Sequence, residues 1–210
     1  MSNYITTTSL KSMTLEDKVM FFERTLLATK RRGIDNVLSN IRKTDFYIAP
    51  SSANKHGNYQ SGLVDHSLLV YSLCMRERDI ILDMKPELAN DLKDESVTIS
   101  TLLHDVCKIA FYKQDQKWKK GPTGNWVSYQ GYSIEDRFPI GHGEKSVIML
   151  QQWGLEMTPE EMIAIRFHMG AWEGKDDYSY RNSVDMVPLL SLVMSADLKS
   201  SLLLEEQIER

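Results

Sequence analysis

Apolar residues recur at helical spacing along most of this chain, and that pattern predicts a mostly helical protein. One example follows the capping-box-like segment 14–17, where Val19, Phe22 and Leu26 share a helical face before Gly33. The same criteria predict helices at about residues 14–33, 34–42, 62–85, 95–110, 143–153, 158–169 and 187–208.

Two segments interrupt the helical pattern. Residues 49–57 are rich in Pro, Ser, Asn and Gly, which is typical of a loop. Residues 111–133 contain aromatic residues, lysines and a Gly-Pro-Thr-Gly turn at 121–124, which predicts a β-hairpin. The expected fold class is therefore all-α, a helical bundle with a small β-hairpin insertion around 111–133.

Length and composition fit a globular protein. At about 150 residues per domain, a chain of 210 residues favours a single domain over 1–210. We expect an N-terminal helical cap at about 1–48 and a core with the functional residues at about 49–205. An apolar share of 42% and a charged share of 26% exclude a disordered or fibrous chain. The net charge of −4 argues against a protein that coats nucleic acid.

Nothing in the sequence indicates export or membrane insertion. The first twenty residues lack a basic region followed by an apolar one. The most apolar stretch, 186–204, contains Pro188, Asp197 and Lys199 and is too polar to span a bilayer. The only cysteines are Cys74 and Cys107, which favours buried thiols in a reducing compartment. We therefore expect a cytoplasmic protein with no membrane contact and no disulfide-linked partner.

Candidate chemistry begins with a histidine and a carboxylate side by side in an apolar segment. His104 and Asp105 interrupt the sequence Ser-Thr-Leu-Leu-His-Asp-Val-Cys. Neighbouring positions on a helix point about 100° apart, so both side chains can serve one metal ion, or Asp105 can bridge two. Burying an ionised Asp is costly unless it is paired or metal-bound, and Asp197 poses the same problem in a second apolar segment.

Three further histidines lie in apolar helices or at predicted helix ends. His66 follows helical apolar spacing, His142 precedes a predicted helix, and His168 ends one. Taken singly, each is more often a core or loop histidine than a ligand. Taken together with the two aspartates, they favour a metal site over unrelated buried groups.

The order of these residues resembles that of the HD superfamily of metal-dependent phosphohydrolases, defined by H…HD…D. The extra histidine pair resembles the branch that binds two metal ions. Residues 50–66 also resemble the segment before the first ligand in HD-type 3′→5′ exoribonucleases, and the resemblance covers about residues 49–200. The residues that carry the pattern are His66, His104, Asp105, His142, His168 and Asp197.

The resemblance implies a ligand set. One ion would be held by His66, His104, Asp105 and Asp197, and Asp105 would bridge to a second ion held by His142 and His168. Mixed imidazole and carboxylate ligands suit Mn, Fe, Co, Ni or Zn better than Ca, with Mg as a further option. The family pattern implies one or two such ions and a hydroxide bridging them that attacks phosphorus.

Other residues are candidates for catalysis or substrate binding. Lys108 follows Asp105 by three positions and resembles the Lys of the HDxxK form in some cyclic-dinucleotide phosphodiesterases, where it contacts phosphate. The alternative is an exposed helix lysine. His56, Arg137 and Lys145 are candidates for substrate binding, and the alternative for His56 is a surface loop histidine.

Three functions stay open at this point. The leading one is hydrolysis of a phosphomonoester or phosphodiester of a nucleotide or short oligonucleotide. A di-iron oxygenase of the same superfamily would use the same ligand order, and a non-catalytic nucleotide-binding regulatory module is the third. The aromatic and basic segment 113–138 could stack a base, but its aromatic side chains could equally pack on the domain. The negative net charge favours a small nucleotide over a long nucleic acid.

Overall fold

The computed structural model describes residues 4–170 and 178–205, and the predicted all-α class with one hairpin is confirmed. The nine helices of the described residues are α1 Thr7–Ser12, α2 Leu15–Ala28, α3 Ile34–Ile41, α4 Gly62–Met84, α5 Asp94–Leu102, α6 His142–Gln152, α7 Pro159–Arg166, α8 Tyr178–Met186 and α9 Pro188–Lys199. Shorter turns are the 3₁₀ segments Pro86–Asn90 and Val106–Lys108 and the π-helical turn Ser200–Leu204. The hairpin strands are β1 Tyr112–Lys120 and β2 Trp126–Ile134.

Local signals explain several helix boundaries. Thr14 caps α2 in a reciprocal capping box with Asp17, as the sequence predicts, and Thr158 caps α7 in the same way with Glu161. Gly33 joins α2 to α3 with a φ of +91°, and a Cβ there would lie 2.0 Å from the Gly154 carbonyl oxygen. Only glycine satisfies both demands at this position.

The core forms around α4. The first half of this helix is buried on all sides, which explains its nearly continuous apolar sequence. Phe22 and Leu26 of α2 pack in one hydrophobic cluster with Leu63 and Leu68 of α4. A second cluster joins α4 to α7 and α9. Cys74 and Cys107 are both buried and unbridged.

The hairpin extends from the turn that follows α5. Its strands are antiparallel, with Tyr112 opposite Ile134 and Lys120 opposite Trp126. The Tyr112 hydroxyl donates to the Ser51 carbonyl at 3.0 Å, and Lys117 Nζ donates to Asn54 Oδ1 at 2.7 Å. The hairpin is therefore attached to the loop at 49–57.

Helix α2 ends at Ala28, where the sequence predicted residue 33, and two helices near the buried histidines also end earlier than expected. Helix α5 ends at Leu102, so His104 and Asp105 lie in a turn and not in a helix. Helix α7 ends at Arg166, which leaves His168 in the next turn. The apolar spacing continues past both ends because the turns themselves are buried, so the pattern alone does not show where the helix stops.

The last helix, which was predicted to reach residue 208, ends early as well. Helix α9 ends at Lys199 and is followed by the π-helical turn, while residues 206–208 lie outside the described residues. Within 4–170 and 178–205, no single helix is long and apolar enough to cross a membrane. Helices α8 and α9 with the following turn meet that test only together, across a bend of 104°.

Candidate metal centre

Five of the six predicted ligands converge in the core, although they come from four separate parts of the chain. Helix α4 supplies one, the turn after α5 two, the turn after α7 one and helix α9 one. All five are buried, between 0% and 8% exposed. They are His66, His104, Asp105, His168 and Asp197.

The donor atoms lie within ligand distance of one another. His66 Nε2 is 3.1 Å from His104 Nε2, 3.4 Å from Asp105 Oδ2 and 3.2 Å from Asp197 Oδ1. His104 Nε2 is 3.3 Å from Asp105 Oδ2 and 4.0 Å from Asp197 Oδ1. Two nitrogens that bond one cation at about 2.0–2.1 Å lie about 2.9–3.4 Å apart at right or tetrahedral angles. The side chains of His66, His104 and Asp105 are therefore close enough together to hold one ion, and Asp197 lies beside this group, facing His66.

The two oxygens of Asp105 face different partners. Oδ2 faces His66 and His104 and also accepts from Lys108 Nζ at 2.5 Å. Oδ1 faces His168 Nε2 at 3.6 Å. That nitrogen is buried and has no hydrogen-bond partner among residues 4–170 and 178–205, which is costly unless a cation binds it. Asp105 can thus join two positions, as the resemblance implies for a bridging ligand.

The helix ends orient His104 and His168 in the same way. His104 Nδ1 donates to the Thr101 carbonyl and His168 Nδ1 to the Ile165 carbonyl, each at 2.7 Å. Both carbonyls belong to the last turn of a helix, where backbone acceptors lack partners within the helix. Because a carbonyl only accepts, Nδ1 carries the proton of each neutral ring, whose Nε2 then presents a lone pair to the cluster.

Charges in the cluster also favour a cation. Three buried carboxylates belong to the cluster, those of Asp105, Asp197 and Glu205, and Lys108 pairs with Asp105. Burial opposes protonation of His66 and His168, but the neighbouring carboxylates outweigh it and raise the pKa of both rings. Burial raises the pKa of Asp105, but Lys108 and His104 outweigh it and hold the pKa well below its usual value. Burial likewise opposes ionisation of Asp197, yet His66 and its neighbours lower the pKa of this carboxyl. Both aspartates stay ionised at neutral pH.

The sixth predicted ligand, His142, begins α6 and is only partly buried. Its Nδ1 lies 3.6 Å from Cys107 Sγ, which is itself 3.9 Å from Asp105 Oδ1. The structure therefore brings His142 next to the Asp105 Oδ1 side of the cluster, with the Cys107 thiol between them. Burial raises the pKa of that thiol to about 12, so it is not a reactive thiolate at neutral pH.

The predicted substrate residues have different surroundings. The His56 ring lies 5.5 Å from that of His66, and burial lowers the pKa of His56 to about 4, so it is neutral at pH 7. Lys145 is buried, pairs with Asp136 at 2.8 Å and lies over the Phe111 ring. These two residues lie beside the cluster or next to His142.

Arg137 is not brought to the cluster. Its side chain is 82% exposed, and its guanidinium pairs with Glu135, only two residues before it. The loop around Arg137 follows the hairpin at the surface, so its place between two ligand-bearing segments of the sequence does not bring its side chain inward. Arg137 is therefore the weakest of the predicted substrate residues.

Sequence reasoning missed Glu205, whose carboxylate contacts His66 Nδ1 at 2.6 Å. The composition of the segment Leu-Leu-Leu-Glu-Glu predicts that a helix continues, and no feature marks one Glu as buried. The only sequence signal for a buried carboxylate here was a glutamate next to an apolar run. The inward direction of Glu205 depends on the π-helical turn after α9, which no sequence pattern indicated.

The fold and this cluster define a helical protein with a buried His/Asp site of the metal-binding type. The family model for the HD domain matches residues 63–202, so the chain belongs to the HD domain family. Proteins with this domain are usually metal-dependent hydrolases that bind divalent ions. No curated protein and no solved structure matches the chain.

Proposed function

We propose that the protein is a metal-dependent phosphohydrolase that cleaves a phosphomonoester or phosphodiester of a nucleotide or short oligonucleotide. The observation that carries the proposal is the buried cluster of His66, His104, Asp105, His168 and Asp197, with its closely spaced imidazole nitrogens and carboxylate oxygens. The HD family assignment supports the same class of reaction.

The residues of the chain have distinct parts in this proposal. His66, His104, Asp105 and Asp197 would hold one divalent ion, and Asp105 Oδ1 with His168 and His142 would contribute to a second position. A bound divalent ion supplies a Lewis acid that neutralises phosphoryl charge and lowers the pKa of water. Because Nδ1 of each clustered histidine is held from outside, the ligands need little reorganisation when substrate enters.

Lys108 is the proposed electrostatic partner of the substrate phosphate. Burial lowers the pKa of Lys108, but the Asp105 carboxylate outweighs it, so the pKa lies above the usual value for lysine. The side chain is thus protonated at neutral pH and serves as a hydrogen-bond donor, not as a general base. Its Nζ already contacts the proposed bridging carboxylate, which places its charge beside the reacting group.

The hairpin supports a nucleotide substrate. Trp118 and Trp126 are 59% and 62% exposed, whereas tryptophan is highly buried on average in folded proteins. Lys119 and Lys120 flank them on β1 and are exposed as well. Exposed aromatic rings beside lysines can stack bases and bind phosphates, and the hairpin begins only a few residues after Lys108.

The test is metal analysis of protein purified without added metal, followed by a panel of phosphatase and phosphodiesterase substrates. We expect bound transition metal and hydrolysis of nucleotide esters, both lost in D105N. The matched control is E161Q, because Glu161 is also buried but is bound by Arg31 at 2.7 Å. A metal-loaded wild-type protein that hydrolyses no phosphate ester overturns the proposal, and oxygen consumption by an iron-loaded protein points to an oxygenase instead.

A further inference from the structure

The three clustered histidines are not held in the same way. His104 and His168 each donate from Nδ1 to the carbonyl three residues earlier, at a helix end. His66 lies inside α4, where the carbonyl three residues earlier belongs to Leu63. That carbonyl takes part in the helix ladder and also accepts from the Ser67 hydroxyl at 3.0 Å. His66 therefore needs an acceptor from another part of the chain.

Glu205 supplies that acceptor. Its Oε1 lies 2.6 Å from His66 Nδ1, and both side chains are 1% exposed. The two residues are 139 positions apart, so this contact exists only because the end of the described chain folds back onto α4. A short, buried contact to a carboxylate is stronger than one to a neutral carbonyl.

A backbone hydrogen bond fixes Glu205 on one side, and a loop lies close to its carboxylate on the other. After the π-helical turn Ser200–Leu204, the Glu205 amide donates to the Ser200 carbonyl at 3.0 Å. On the other side lies the loop at 49–57, where a Cβ on Gly57 would come within 3.1 Å of Glu205 Oε2. Glu205 also lies beyond residue 202, where the match to the HD domain model ends.

We propose that Glu205 is a positioning residue of the metal centre, which accepts the Nδ1 proton of His66 and thereby directs the Nε2 lone pair into the cluster. This inference rests on the metal-binding part of the proposed function. A carboxylate behind a ligating imidazole fixes its tautomer and ring orientation and makes the ligand nitrogen more basic. The end of the described chain thereby becomes part of the site, although it carries none of the ligands.

The test compares the full-length wild type with E205A, E205Q and the buried-carboxylate control E161Q. Zinc affinity is measured by competition with a chelating dye. The Nδ1 proton of His66 is followed by NMR of the zinc-loaded, ¹⁵N-histidine-labelled protein. We expect a loss of affinity of roughly 10- to 100-fold for E205A, the usual effect of removing such a partner. The loss should be smaller for E205Q, whose amide oxygen still accepts, and E161Q should bind zinc as the wild type does.

The NMR signal separates positioning from a general loss of stability. In the wild type, the Nδ1 proton should resonate far downfield, as expected beside a carboxylate, and it should move upfield in both Glu205 variants but not in E161Q. Unchanged affinity together with an unmoved proton signal overturns the inference, and so does an equal loss of affinity in E161Q. If E205A does not fold, the zinc affinity and the Nδ1 proton signal of E205Q test the inference by the same criteria.

Failure of this inference is distinguishable from failure of the proposed function. If zinc binding depends on Glu205 but no phosphate ester is hydrolysed, the positioning role stands and the proposed reaction fails. If the wild type hydrolyses esters and the Glu205 variants bind zinc normally, only the positioning role fails. A wild-type protein that binds no divalent ion overturns both.

Discussion

The candidate metal centre and the hairpin are close in sequence and opposite in character. Asp105 is 2% exposed and its oxygens face His66, His104, His168 and Lys108. Seven residues further on, β1 begins, and Trp118 and Trp126 turn more than half of their surface to solvent. A buried site whose side chains are fixed by hydrogen bonds is suited to catalysis. An exposed hairpin is suited to binding substrates of different shapes. Substitutions in the first region should therefore change turnover or metal binding, and those in the second should change substrate affinity.

The largest effect is expected from D105N. The amide keeps the shape of the side chain but removes the charge that faces three histidines and Lys108. Lewis-acid stabilisation is worth several kcal/mol, so hydrolysis should fall by roughly 10³-fold or more. Activity and metal content are measured together, with E161Q as the control. Full activity without bound metal would show that the buried cluster is not the centre of the chemistry.

Next in size is K108M, which keeps the length of the buried stem and removes the ammonium. Loss of one preorganised donor at a developing charge costs roughly 10²- to 10³-fold in kcat. The ligand atoms stay in place, so the metal content should be retained. Single-turnover rates and metal analysis of the variant provide the check. A change in KM alone would mean that Lys108 contributes to substrate binding, as proposed for the hairpin, and not to catalysis.

A smaller effect is expected from the double variant W118A/W126A. Stacking on an aromatic side chain is worth about 1–3 kcal/mol per base, so KM for a short oligonucleotide should rise roughly 10-fold or more. The kcat for p-nitrophenyl phosphate, which has no base, should stay at the wild-type value. Steady-state kinetics on both substrates make the comparison. Equal losses on both substrates would mean that the hairpin supports the site structurally.

The smallest effect is expected from R137A. The side chain is 82% exposed and paired with Glu135, so its removal should change kcat/KM less than about twofold, within the range typical of exposed ion pairs. The same kinetic assay measures it, with K108M as the reference for an effect on catalysis. A loss of kcat/KM above 10-fold would show that the surface loop closes over the substrate. The exposed region would then contribute to catalysis as the buried cluster does.

The sequence predicted the fold class, the hairpin and the HD family correctly for particular physical reasons, while the ligand set stays a prediction. Helical spacing and the capping box at Thr14 are local features, and so is the turn at 121–124. The buried aspartates were informative because an ionised group among apolar residues needs a compensating partner. The predicted ends of helices α5 and α7 were wrong because the turns that follow are buried. Their apolar residues, such as Leu103 and Phe167, continue the apolar spacing of the helix.

By itself, then, the sequence determined a helical protein with histidines and aspartates in the order of an HD-type metal site. Only the tertiary structure decided that His104 and Asp105 lie in a turn, that Asp105 faces different partners with its two oxygens, and that Arg137 stays at the surface. It also decided that Glu205 holds His66 across 139 positions. The physical reason is that spacing reports which side of a segment is apolar, whereas ligand geometry depends on where helices end and how distant segments pack together.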